Sequence, residues 1–352
     1  MKRTLIAGFV VMCLIILQLY SCKRDPSFDQ PVTTADNISF SVPSGWPQPY
    51  YTFQNNTLTK SGFELGRKIF YDTRLSKDNT VSCGTCHQQY AAFANLDHEV
   101  SHGYNNLLGT RNAPPLFNLN WHTSFFWDGG VNNIENQPIN PIQNPVEMAG
   151  DMNAIIAMMN ADATYKNMFT AAFGTNEANS QRIFKALTQF MCMMISCNSK
   201  YDKHMHGDAG GEFTDQETRG LAVFRSNCAA CHKEPLFSDF SYRNNGLQPT
   251  VVNDSGRAHI TKDTADLYKF LVPSLRNLTY SRPYMHDGRF GSINDVLTHY
   301  TTGIYQSSTL DPLLKSGIKL TEQDKQDLMA FLKTLDDPAF LADARFSEAL
   351  AK

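Results

Sequence analysis

Two short stretches decide the fold of this chain: CGTCH at residues 83–87 and CAACH at residues 228–232. The pattern C-x-x-C-H is the attachment signature of c-type haem, in which both thiols bond to the porphyrin and the histidine reaches the iron. A single copy is also compatible with chance or with half of a zinc site. Two complete copies predict two covalent haems, held by Cys83, Cys86 and His87 and by Cys228, Cys231 and His232.

The residues around these motifs form an internal repeat. ELGRKIF (64–70) precedes the first motif, and RGLAVF (219–224) precedes the second. Downstream, NLNWHTSFFWDGG (118–130) aligns without a gap with NLTYSRPYMHDGR (277–289), and the same register pairs Pro141 with Tyr300. Because self-similarity of this kind indicates a duplicated unit, we predict two haem domains that have diverged at particular positions.

Helical signals dominate the rest of the chain. Capping-box patterns, a Ser or Thr followed three residues later by an acidic residue, begin three predicted helices at Thr214, Ser292 and Thr321. Long loops rich in Asn and Pro, such as residues 132–148, connect the helices. We therefore predict an all-α fold with two cytochrome c-like haem domains in tandem, over residues 60–207 and 208–352.

The N-terminus has the features of a targeting segment. Lys2 and Arg3 precede an apolar run of 16 residues (5–20), which is shorter than the ~20 residues that cross a bilayer. The following Leu-Tyr-Ser-Cys resembles a bacterial lipobox, so residues 1–22 are predicted to be a lipoprotein-type signal peptide with a lipid anchor on Cys22. An uncleaved anchor and an ordinary secretory signal stay open. Residues 23–59 are predicted to form a polar tether with little packed structure.

The overall composition excludes one class of partner. The formal net charge is -3, and the sequence has no Lys/Arg-rich run or basic stripe. Nucleic-acid binding is therefore not expected. The sequence does not indicate the oligomeric state, and a homodimer stays open.

Several motifs together resemble the bacterial di-haem cytochrome c peroxidase family, which includes MauG. Besides the two haem motifs, the markers are LGRKIFYDTRLS (65–76), SHG (101–103), RNAPPLFN (111–118), FFWDGG (125–130), NPVEM (144–148) and PSLRNLTYSRPYMHDG (273–288). The resemblance covers roughly residues 60 to 340. It implies a periplasmic protein of a Gram-negative bacterium, with a peroxidatic first haem on His87 and an electron-transfer second haem on His232.

The resemblance also implies roles for individual residues of the first half. Glu147 would be the acid and base beside the open iron position, with Gln137 in the same pocket, and Trp127 would relay electrons between the haems. His102 would cap the resting peroxidatic iron. Each also has a purely structural reading: Glu147 as a helix-end charge, Trp127 as core packing and His102 as a surface histidine. The chemistry itself needs an open iron position, which Pro141 permits because it has no side-chain donor.

A calcium site between the domains is a further implication of the resemblance. Asn112 and the backbone carbonyls of Ser281 and Pro283 would be its ligands, although Asn112 could instead cap a turn. Oxygen ligands of this kind are those that calcium prefers.

Tyr300 stands where the peroxidases of this family have a methionine, the second axial ligand of the electron-transfer haem. MauG has a tyrosine there. A phenolate favours ferric iron, whereas a thioether favours ferrous iron and raises the potential. We predict that Tyr300 ligates the second haem; ligation by His299, or no ligand from this segment, stays open. Met285 is the only nearby methionine and is out of register.

Three functions are compatible with these features. The first, which we favour, is reduction of hydrogen peroxide to water with electrons from a small exported cytochrome c or copper protein. The second is a MauG-like oxidase that stores two oxidising equivalents across both haems and oxidises a protein or other substrate. The third, a non-catalytic di-haem electron carrier, would need neither Pro141 nor Glu147.

Overall fold

The computed structural model describes residues 36–96 and 98–351, and their regular secondary structure is almost entirely helical. Within these ranges, every helix is too short or too polar to cross a membrane. The predicted signal peptide, with its anchor at Cys22, lies outside the described residues.

Six α-helices form most of the first half, and their apolar faces meet in one large core cluster. The longest two pack closely because α1 has a glycine at the crossing: a Cβ on Gly66 would lie 2.0 Å from the carbonyl oxygen of Ala186. The helices are α1 (Lys60–Tyr71), α2 (Cys83–Cys86), α3 (Ile139–Gln143), α4 (Met152–Ala161), α5 (Ala163–Phe173) and α6 (Ser180–Met191).

The second half repeats this arrangement around a smaller core cluster. Here too a glycine allows the two main helices to cross, because a Cβ on Gly220 would lie 2.0 Å from the carbonyl oxygen of Asp327. The α-helices are α7 (Lys200–His206), α8 (Asp215–Asn227), α9 (Ala258–Thr261), α10 (Ile293–Thr302), α11 (Glu322–Lys333) and α12 (Pro338–Leu341). Two short strands, β1 (Tyr242–Arg243) and β2 (Phe270–Leu271), pair antiparallel.

The three predicted capping boxes are present at the start of α8, α10 and α11. Each hydroxyl of Thr214, Ser292 and Thr321 accepts a backbone N–H three residues on, and the acidic side chain there accepts the backbone N–H of the cap. These caps fix where each helix begins, since they satisfy N–H groups that the helix itself leaves unpaired.

The backbone confirms the gapless repeat. Asn118 and Asn277, which the alignment pairs, both have left-handed backbones, with φ of 57° and 56°. Isolated bridges at Phe125↔Val131 and Tyr284↔Phe290 occur at matching positions. The side chain of each asparagine fixes a neighbouring backbone: Asn118 accepts from the N–H of Ser196, and Asn277 accepts from the N–H of Asp337.

The division between the halves differs from the predicted boundary at 207/208. Tyr201, on α7, packs in the second core cluster, and Asp202 forms an ion pair of 2.6 Å with the buried Arg276. Conversely, Phe340 and Phe346 pack in the first cluster. The C-terminal segment therefore returns to the first half instead of completing the second.

The prediction of a polar tether with little packed structure is wrong for residues 36–59. Trp46, Phe53 and Leu58 are buried, and the N–H groups of Tyr50 and Tyr51 both donate to the carbonyl oxygen of Asn120. A few well-spaced aromatic side chains are enough to fix a chain that is polar on average, because each buries a large apolar area.

Candidate functional site

The first haem motif lies on the short helix α2 and in the turn after it. The Nδ1–H of His87 donates to the carbonyl oxygen of Phe93 at 2.9 Å, which leaves Nε2 as the nitrogen with a free lone pair. Burial lowers the pKa of His87 to about 4, so the ring is in the neutral form that binds metals. Cys83 and Cys86 are both unpaired. These residues fit a covalent haem.

The second motif has the same construction. Nδ1 of His232 lies 3.1 Å from the carbonyl oxygens of both Phe237 and Pro273, and burial lowers its pKa. Cys228 and Cys231 are unpaired thiols. A histidine held by backbone carbonyls in this way has its ring orientation and tautomer fixed before a metal arrives.

Glu147 lies beside the first motif. Its side chain is half-buried, and Oε1 accepts a hydrogen bond of 2.7 Å from Nδ2 of Asn144. Desolvation raises the pKa of the Glu147 carboxyl, and burial together with the Glu147 charge raises the pKa of the Cys83 and Cys86 thiols. A carboxyl whose pKa is raised in this way holds a proton more readily than an exposed glutamate, which suits it to accept and return one.

Gln137 and Pro141 precede Glu147 on the same segment. Gln137 follows the turn Ile134–Asn136, and Pro141 lies in α3, where its carbonyl oxygen accepts the N–H of Met148 at 3.2 Å. Pro141 therefore helps to fold the loop that carries Glu147. Gln137 is half-buried.

The SHG segment packs directly on the Glu147 loop. The N–H of Tyr104 donates to the carbonyl oxygen of Glu147 at 2.5 Å, and a Cβ on Gly103 would lie 2.2 Å from the carbonyl oxygen of Val146. The carbonyl oxygen of His102 lies 3.9 Å from Sγ of Cys86. The backbone of this segment is thus next to the first haem motif, while the His102 ring forms a hydrogen bond of 2.6 Å with Asn106.

Trp127 connects the two halves of the chain. Its indole N–H donates to the carbonyl oxygen of Asn112 at 2.8 Å, and its own carbonyl oxygen accepts the N–H of Leu271 at 2.8 Å. The ring is buried. The tryptophan is therefore held rigidly between a loop of the first half and strand β2 of the second.

Asn112 also bridges the halves, and it has an unsatisfied oxygen. Its N–H donates to the carbonyl oxygen of His286 at 2.8 Å, and Nδ2 donates to that of Pro283 at 2.7 Å. Oδ1 of Asn112 is buried without a hydrogen-bond partner. Ser281 lies two residues before Pro283 and is half-buried. A buried oxygen without a partner, beside a backbone carbonyl, fits a bound cation that prefers oxygen ligands.

Tyr300 lies on α10 close to the second haem motif. Burial raises the pKa of its phenol to about 12, the amide of Asn245 counteracts this rise, and the nearby thiols of Cys228 and Cys231 add to it. His299, the alternative ligand, is buried, and its Nε2 donates to the carbonyl oxygen of Asn245 at 3.0 Å. Of these two neighbours, Tyr300 is the one whose pKa the haem-binding cysteines raise.

Two comparisons decide the family. The family model described as di-haem cytochrome c peroxidase matches residues 60–210. The methylamine utilization protein MauG of Methylorubrum extorquens is 36% identical, with 94% of this chain and 94% of that protein covered. This chain belongs to the di-haem cytochrome c peroxidase family.

Members of the family that resemble this chain have both kinds of name. The cytochrome c551 peroxidase of Nitrosomonas europaea is 31% identical, with 79% of this chain and 81% of that protein covered. A MauG-like protein associated with microbial copper homeostasis, known from a crystal structure, is 32% identical in sequence and superimposes with a TM-score of 0.80. The match covers 88% of this chain and 99% of that one. Membership implies an oxidoreductase with two c-type haems.

Three residues of this di-haem protein were missed by the sequence analysis. Asn144 and Asn245 contact Glu147 and Tyr300 through their amides. His286 is buried with its ring stacked on Phe270 at 3.6 Å. Asn144 begins the NPVEM motif and could have been found there, whereas no local signal marks Asn245.

Proposed function

We propose that this protein is a di-haem peroxidase, built from two cytochrome c-like domains, that reduces hydrogen peroxide to water. The observation that carries the proposal is Glu147, a half-buried carboxyl with a raised pKa beside the cysteines of the first haem motif. Pro141, at the first-half position equivalent to Tyr300, has no group that could block the iron. An electron carrier needs neither feature, so the carrier function is disfavoured.

A haem held by Cys83, Cys86 and His87 would supply the site for peroxide and the electrons that cleave the O–O bond. The chain would transfer a proton: the Glu147 carboxylate would accept it from one oxygen of the peroxide and return it to the other, which leaves as water. The hydrogen bond from Asn144 fixes the direction of the carboxylate. Gln137 is proposed to line the same pocket.

Electrons for the reaction would enter at the second half and cross between the halves near Trp127. The buried position of Trp127, with hydrogen bonds to both halves, supports a role of its ring as a relay. His102 is proposed to cap the resting iron. The ring would then have to exchange its hydrogen bond to Asn106 for the metal, and leave before peroxide binds.

Peroxide consumption by the purified di-haem protein tests this function. With a reduced small cytochrome c or copper protein as donor, we expect two donor molecules to be oxidised for each peroxide consumed. Repeated turnover of peroxide that leaves the added donor reduced would contradict the proposal and would favour the second candidate.

The second candidate is a MauG-like oxidase, and Tyr300 is the observation that favours it. We propose that Tyr300 ligates the second iron, because its buried phenol lies close enough to Cys228 and Cys231 for their charges to raise its pKa. Burial alone favours the neutral phenol, so ligation requires that the positive charge of ferric iron displaces the proton. An anionic ligand would lower the potential of this haem and favour storage of oxidising equivalents for a protein or other substrate.

The proposed location is the periplasm of a Gram-negative bacterium, where peroxide and small redox proteins are available. Membrane attachment through a lipid on Cys22 is part of this proposal, as is removal of residues 1–22.

Covalent attachment of both haems is the first expected result. Four thiols, two in each motif, are free and half-buried, so each haem should form two thioether bonds. Acid-acetone treatment of denatured protein should leave all the haem colour on the chain, and metal analysis should give two irons per chain. Extractable haem, or one iron per chain, would contradict the assignment.

We propose a calcium ion between the halves, held by Asn112 and the carbonyl oxygens of Ser281 and Pro283. Calcium would satisfy the buried Oδ1 of Asn112. A chelator should then lower the melting temperature, since a ligand present at 100 times its Kd stabilises the folded state by about 2.7 kcal/mol. Asn112→Ala should remove both the bound calcium and the chelator effect.

Asn120→Ala is the matched control for this experiment, because both polar atoms of the Asn120 side chain are also buried without a partner. It should keep the calcium measured by metal analysis. Protein that contains no calcium and melts at the same temperature with and without chelator would contradict the site.

A further inference from the structure

Arg111 joins the turn that carries Trp127 to a loop of the second half. Its Nη1 donates to Oδ2 of Asp128 at 2.6 Å, and Asp128 is the residue after Trp127. Its Nε and Nη2 donate to the two carboxylate oxygens of Asp254 at 2.6 and 2.9 Å. Asp254 lies in the loop that follows strand β1, so one guanidinium bridges the two halves of the chain.

The same guanidinium lies next to both groups that hold Trp127. The indole N–H of Trp127 donates to the carbonyl oxygen of Asn112, the residue after Arg111. The carbonyl oxygen of Trp127 accepts the N–H of Leu271, the residue after Phe270. The centre of the Phe270 ring lies 5.8 Å from the Arg111 guanidinium. A displacement of this guanidinium would therefore be passed to each group that fixes the tryptophan.

Asp254 determines the position of the guanidinium. A planar guanidinium that donates two parallel N–H groups to one carboxylate is fixed in both place and orientation. The side chains of Arg111 and Asp254 are 23% and 15% exposed, so the pair is mostly shielded from water. Without Asp254, the single hydrogen bond to Asp128 would leave the guanidinium plane free to rotate about it.

We propose that Asp254 is a positioning residue that holds Trp127 in place for electron transfer between the haems, and that it acts through Arg111. This inference rests on the relay role of Trp127 proposed above. Rates that depend on the geometry of reacting groups are sensitive to small displacements, because a shift of about 1 Å can cost 10²-fold. The loop that carries Asp254 lies outside the family motifs, so the sequence alone does not mark this residue.

Asp254→Ala tests the proposal, because alanine removes both acceptor oxygens and leaves the tryptophan itself intact. The variant should keep two haems with native midpoint potentials, while electrons pass from the second haem to the first about tenfold or more slowly. Stopped-flow absorption of half-reduced protein mixed with peroxide measures this rate. Hydrogen exchange at the backbone N–H of Leu271 should become faster, since its acceptor on Trp127 is held less firmly.

Asp254→Asn serves if the alanine variant does not fold. Asparagine has the same shape but accepts through a single oxygen, so the inter-haem rate and the exchange at Leu271 should change in the same directions.

Asp327→Ala is the matched control, because Asp327 also accepts from Nε and Nη2 of one arginine, Arg219, at 2.8 and 3.2 Å. That pair joins α8 to α11, so its loss should lower the melting temperature and leave the inter-haem rate and the exchange at Leu271 unchanged. Native values of both quantities in Asp254→Ala, together with slow transfer in Trp127→Phe, would overturn the inference alone. Native transfer in Trp127→Phe would overturn the relay, and the inference with it.

Discussion

Tyr300→Met is expected to raise the midpoint potential of the second haem by on the order of 0.1 V or more, since axial ligands set haem potentials over about 0.8 V. A neutral thioether would replace an anionic phenolate and so favour ferrous iron. The second haem would then remain reduced under conditions that oxidise the first. Peroxide turnover should become dependent on prior reduction of this haem, as measured by assays started from oxidised and from half-reduced protein.

The matched control is Tyr305→Met, because Tyr305 follows α10 and its side chain is exposed. It should keep the native potential and need no prior reduction. If the native protein already has a high-potential haem, and Tyr300→Phe changes neither its spectrum nor its potential, then Tyr300 only packs in the structure. The oxidase candidate would lose its main support.

Glu147→Gln is expected to slow peroxide consumption by about 10²-fold or more, the usual range for loss of a positioned acid and base. Glutamine keeps the size of the side chain but cannot accept and return a proton. Both haems should remain bound, because Glu147 contacts the SHG segment beside the first motif through its backbone carbonyl oxygen, which the substitution keeps. Stopped-flow mixing with peroxide measures the rate.

The pH dependence of the same rate gives a second readout. Burial raises the Glu147 pKa, so the carboxylate that accepts the proton is lost at a higher pH than for an exposed glutamate. The native rate should therefore fall as pH decreases through this raised pKa, and the Glu147→Gln variant should lack that decrease. Glu135→Gln is the control. The Glu135 carboxylate accepts a hydrogen bond from the Tyr51 hydroxyl and has no proposed part in the proton transfer, so its loss should leave the pH dependence unchanged. Native rates in Glu147→Gln would leave this residue a structural charge.

The sequence predicted the repeated parts of the fold well because they depend on local chemistry. The capping boxes are each determined by a few neighbouring residues, and the alignment pairs Asn118 with Asn277, whose backbones are both left-handed. A gapless alignment therefore carries their geometry from one half to the other.

Long-range packing was predicted less well. The return of Phe340 and Phe346 to the first core, and the burial of Trp46 and Phe53 in a polar segment, leave no periodic pattern in the sequence. Single large side chains determine these contacts. A prediction based on average polarity assigned the segment with Trp46 and Phe53 to a tether. The segment with Phe340 and Phe346 was assigned to the wrong half.

The candidate site likewise combines residues with a local signal in the sequence and a residue without one. Glu147 and Trp127 were proposed from motifs, and Tyr300 from the repeat. Asn245 belongs to no motif, because its contact with His299 forms only when the tertiary structure brings its loop against α10. The amide of Asn245 faces Tyr300 and Met285 only in the folded chain.

Mixing the fully oxidised native protein with one equivalent of hydrogen peroxide tests the central claim most directly. The claim is that a first haem, at which peroxide displaces His102 beside Glu147, works with a second haem ligated by Tyr300. The oxidised protein should consume the peroxide without added reductant, and the absorption of both haems should change together, corresponding to the loss of two electrons per chain. An oxidised protein that leaves peroxide unconsumed until one haem is reduced would contradict it.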